Sequence, residues 1–92
     1  METRDDGNRN DARRAALIRA VDAALAGRWD EAHDTAQRFE GDAVADWLHA
    51  LLHKIEGDAG NSHYWYRRGV HSYDAFSDPS AELAAIRAEL SD

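Results

Sequence analysis

Apolar residues along this chain recur at intervals of three and four, the period of a helix with one buried face, and not in the alternation of a half-buried strand. The pattern predicts an all-α protein. Leu17, Ile18, Val21, Ala24 and Leu25 form the buried stripe of a first helix that Asn10 or Asp11 can cap and Gly27 stops. A second helix starts in "RWDEAHDTAQRFE", where Asp30, Glu31 and Asp34 sit near the positive end of the helix dipole, and Gly41-Asp42 ends it. The third, over about residues 43 to 56, buries Val44, Leu48, Leu51, Leu52 and Ile55 before Gly57 closes it. A fourth, short and aromatic, is expected from about Asn61 to Gly69, with Asn61 as its cap. The segment "VHSYDAFSD" then leads to a fifth helix capped by Ser77 or Asp78, with the single proline, Pro79, in its first turn and Leu83, Ile86 and Leu90 facing inward. Residues 1–9 are polar and are expected to form a disordered N-terminal tail, which leaves 10–92 as a single helical domain.

Laid on itself at an offset of 30, the sequence aligns Leu17 with Trp47, Ile18 with Leu48, Ala20 with Ala50, Val21 with Leu51, Leu25 with Ile55, Gly27 with Gly57 and Ala32 with Ser62. Each half is therefore a helix, a glycine turn and a second helix, with a small residue five positions after the glycine where two helices must approach closely. "GRWDEAHDTAQ", with Gly27, the aromatic Trp29 and Ala32 in order, resembles the turn and second helix of a tetratricopeptide unit, and "EGDAGNSHYWYRR" is similar. That resemblance implies two antiparallel helical hairpins followed by a C-terminal capping helix. The middle of the chain, from His49 to Arg68, also resembles a set of small bacterial proteins sharing H-A-x-L-H-x-x-E-G-D-x-x-N-x-x-Y-W-Y, which have no established activity to transfer.

A chain of 92 residues holds one core and not separate catalytic and substrate domains. The absence of cysteine excludes disulfides, Cys-ligated zinc, iron-sulfur clusters and thiol catalysis, so any metal chemistry rests on His and carboxylate. No run approaches the roughly 20 apolar residues of a membrane span, and "METRDDGNRND" lacks the apolar core of a signal peptide. A cytoplasmic location is expected. The net charge of -7, from 18 acidic residues against 11 Lys and Arg, repels phosphate backbones. Arg13-Arg14 and Arg67-Arg68 read as solvated helix faces, and direct nucleic-acid binding is not expected. No glycine-rich phosphate loop or nucleophile elbow suggests an enzyme, and no cofactor is implied. A protein or peptide partner suits the acidic surface better. Two hairpins and one helix are near the lower limit for a stable stack, and a homodimer would bury what so short a repeat leaves exposed.

Two surfaces carry candidate chemistry. At about 100° per residue, His49, His53 and Glu56 share one face of the third helix, opposite the stripe of Leu48, Leu51 and Ile55. Histidines at i and i+4 can share a divalent ion with a carboxylate one turn further on, although Ala50 stands where the base of an H-E-x-x-H metalloprotease would be. The competing reading is a polar outer face. His33 lies with Trp29 and Ala36 on the side of the second helix that the core should claim, so it needs polar partners, for which His53, Asn61 or Tyr64 are the nearest choices. Tyr64, Arg67 and Arg68 have the composition of a protein-binding edge, while Trp47 and Trp65 belong mainly to the core.

Overall fold

Turn glycines and capping carboxylates divide the chain into five helices. In the computed structural model, which describes residues 3–91, these are α1 (Thr3–Leu25), α2 (Trp29–Arg38), α3 (Ala43–Glu56), α4 (Ala59–Arg67) and α5 (Pro79–Ser91), with no strand among the described residues. α1 and α2 form one antiparallel hairpin and α3 and α4 the next, α2 packs on α3, and α5 returns across α1 and α3. Gly27 and Gly57 occupy equivalent places at φ 83° and 90°, the left-handed conformation that closes a helix without a Cβ clash. The 30-residue register holds in three dimensions: Ala20 and Ala50 are buried, as are Ala32 and Ser62, and the Ser62 hydroxyl donates to the Ala50 carbonyl at 2.8 Å.

Several boundaries and burials depart from the pattern. The polar stretch expected as a disordered tail is helical from Thr3, so neither Asn10 nor Asp11 caps α1; residues 1 and 2 lie outside the described residues. No proline interrupts this stretch, and once a helix is nucleated each added residue contributes a further hydrogen bond. Leu25 and Ile55, both expected in the core, are 51% and 40% exposed. Each stands two residues before a turn glycine, at the tip of its hairpin. The cap of α4 is Asp58, whose carboxylate accepts from the Asn61 backbone at 3.2 Å and from the Asn61 side chain at 2.8 Å, so Asn61 supports the cap without being it. Asp42 caps α3, accepting from the Val44 and Ala45 amides at 2.9 and 3.0 Å, and Arg13 of α1 pairs with the same carboxylate. A cap of this kind is worth about 1 kcal/mol.

α3 is the axis of the molecule. All ten residues from Val44 to His53 are buried, because α2, α4 and α5 cover it on different sides. On the α5 side lies a buried polar network. Glu82 is fully buried and accepts from Trp47 Nε1 at 2.8 Å, Tyr66 OH at 2.5 Å and Lys54 Nζ at 3.0 Å. Lys54 also donates to the carbonyls of Tyr73 and Phe76 at 2.7 and 2.8 Å, tying down the connection before α5. Burial, and then the hydrogen bond to Glu82, push the Tyr66 hydroxyl well above the usual phenol range, so it remains a donor. No helix of the described residues is long and apolar enough to cross a membrane.

Candidate metal centre

The seam between the two hairpins, where α2 lies against α3, is lined by imidazoles. Trp29 starts α2, and its Nε1 donates to the Leu52 carbonyl of α3 at 2.7 Å, which ties the start of α2 to α3. One turn later His33 stacks on Trp29, ring centroids 4.7 Å apart and planes within 12°. From α3, His49 and His53 face the same point: the His33 ring is 4.7 Å from His49 and 5.3 Å from His53, and these two are 5.0 Å apart. One ring nitrogen from each of the three lies within 4.8 Å of the others. On the far side Trp65 of α4 stacks on His49 at 4.0 Å, with the Arg68 guanidinium 4.7 Å above the Trp65 ring. Three imidazoles are thus walled by two indoles.

Burial gives this cluster its chemistry. His49 is 3% exposed and His53 8%, while His33 is half-buried and forms the outer edge. Burial, followed by the neighbouring His33 and His53 and then Arg68, lowers the His49 pKa to about 4, so its imidazole is neutral at neutral pH, the form that ligates metal. Among the described residues its Nδ1 is a buried side-chain polar atom with no hydrogen-bond partner. Such atoms are few in folded proteins, and leaving one unpaired costs about 1–3 kcal/mol. His53 Nδ1 meets Glu56 Oε2 at 2.8 Å.

Two expectations change. His49 and His53 do not lie on an outer face: both histidines point into the α2 seam, because α3 is enclosed from Val44 to His53, whereas Glu56, beyond that stretch, is exposed as expected. The third group beside His49 and His53 is His33, whereas Glu56 gathers with His53 and Asp58. His33 does meet His53, one of its expected partners, and also His49, which was not among them. The stacking indoles, Trp29 and Trp65, were not foreseen as parts of a site. The available signal was that α3 is the most apolar of the five helices, which marks it as central, so that even its polar sector is turned inward.

Tyr64, Arg67 and Arg68 form a separate edge on α4. Tyr64 is 46% exposed and accepts a hydrogen bond from Arg68 Nη1 at 3.0 Å, and Arg68 lies 3.7 Å from Glu40. Exposed Arg67 lines an open groove of about 300 Å³ with His63, His71 and Tyr73. No protein-family model, curated protein or solved structure matches this chain.

Proposed function

We propose that the protein binds one divalent transition-metal ion at the seam between its hairpins, through His33, His49 and His53. The observation that carries this reading is the unpartnered, buried Nδ1 of His49 in a cluster of three imidazoles. An all-nitrogen donor set suits Zn, Co, Ni or Cu and is poor for Mg or Ca, which prefer oxygen ligands. Nitrogens about 2.0–2.1 Å from a tetrahedral ion stand roughly 3.4 Å from one another, so three that lie within 4.8 Å would close by at most about 1.4 Å on binding. Three protein ligands leave the fourth tetrahedral position to water or another exogenous ligand, the arrangement on which a hydrolytic role would depend.

Thermal unfolding of tag-free protein with and without Zn, Co and Ni tests this directly. An ion at 100 times its Kd adds about 2.7 kcal/mol, which in a domain of this size raises Tm by about 10 °C or more. His33→Ala, at the half-buried edge, is expected to keep the fold and lose the shift. A Tm unmoved by all three ions, together with no metal retained after dialysis, would overturn the reading.

A second reading rests on the α4 edge. The exposed Tyr64 and Arg68 pair, with Arg67 on the adjoining groove, supports docking of a protein or peptide partner. Under this reading Tyr64→Ala and Arg67→Ala leave Tm unchanged within a degree or two but abolish association with a partner that co-purifies with the wild type. Undiminished association would remove this edge from consideration.

A further inference from the structure

Glu56 is too far along α3 to join the imidazole triad, yet it makes a close polar contact to one of its members. Its Oε2 stands 2.8 Å from His53 Nδ1. An ionised carboxylate can only accept, so the ring nitrogen facing it carries the proton, and in the neutral ring the other nitrogen, Nε2, is the one with a free lone pair. The same bond fixes the rotation of the ring. Asp58, which shares the neighbourhood, is already committed elsewhere, since both of its oxygens are engaged by Asn61 at the start of α4. Glu56 itself stands at the last position of α3 with a partly exposed side chain, and the imidazole is its side-chain partner among the described residues.

We infer that Glu56 is a positioning residue of the metal centre, acting through His53 and not as a ligand. It selects the His53 tautomer and aims Nε2 toward His33 and His49. The inference rests on the metal-binding reading of the same site. Outer carboxylates of this type typically change metal affinity 10–100-fold when removed.

The test uses Co²⁺ as the probe, titrated into the full chain and followed by its visible absorption. Wild type is expected to bind one equivalent. Glu56→Ala is expected to bind with 10–100-fold lower affinity but with unchanged band positions, because the donor atoms are the same. Glu56→Gln, whose amide oxygen still accepts from Nδ1–H, should recover a substantial part of the loss. Metal-free thermal unfolding of each variant checks that the fold survives. Glu56→Ala binding as tightly as wild type would overturn the inference while leaving the three-histidine site intact. Shifted band positions in Glu56→Ala would overturn it in favour of a direct ligand. Failure of the wild type to bind Co²⁺ would overturn the site and the inference together.

Discussion

Glu82→Ala is expected to cost about 3–5 kcal/mol, the range for removing one partner of a buried ion pair. The carboxylate is fully buried and holds three donors, so its loss strands the Lys54 ammonium, the Trp47 indole N–H and the Tyr66 hydroxyl in a space closed to water. Lys54 retains two carbonyl partners, which limits the damage but does not neutralise its charge. A domain of this length has roughly 5–14 kcal/mol in total, and urea unfolding should show a midpoint displaced by a large fraction of the wild-type value. The double variant Glu82→Leu with Lys54→Met should be considerably less destabilised than the sum of its single changes, since neither charge is then left alone. A single variant within about 1 kcal/mol of wild type would show that water reaches the site and that the network contributes little.

The second large effect is a loss of stability in acid that originates at His49. In the metal-free protein, kept so with a chelator, the folded His49 has its pKa lowered from 6.5 to about 4, chiefly by burial. Above the unfolded value both states are neutral and pH does not matter. As pH falls from 6.5 toward 4 the unfolded chain takes up a proton that the folded chain refuses, so stability declines throughout that window and flattens below it. The full penalty is roughly 3–4 kcal/mol. Carboxylates titrate in the lower part of the same range, so the measurement is the difference between wild type and His49→Gln at each pH. That difference should change between pH 6.5 and about 4 and be constant at higher pH. A difference that is flat across the window would mean that the folded protein protonates His49 as readily as the unfolded chain.

Helix count, turn glycines, the Pro79 start of α5 and the internal register were legible because each depends on local chemistry: a 3.6-residue period, a positive φ, a missing N–H. What was not legible depended on which helix lies at the centre. Read alone, α3 divides into an apolar stripe and a polar face, and the polar face is naturally turned outward. With α2, α4 and α5 around it, the helix has no outside, and His49 and His53 become interior groups. Leu25 and Ile55 err in the opposite sense and for the same reason in both halves, which the repeat itself would have suggested once one of them was known to be exposed. Glu82 was hidden among better residues: it stands four before Ile86 and eight before Leu90, on the buried stripe of α5, and an acid in that register signals a buried partner.

The imidazole cluster takes one member from the first hairpin and two from the second, and the four residues 39–42 are the covalent link between those hairpins. Packed helices can slide or rock against one another by small amounts while keeping their apolar contacts. An ion held by all three rings would remove that freedom, acting as a clasp that sets one angle between two otherwise separate levers. The Trp29 bond to the Leu52 carbonyl already restrains the same joint from one side. Occupancy of the seam would then be felt at surfaces that no ligand atom touches, including the α4 edge of Tyr64 and Arg68, which rides on the second lever.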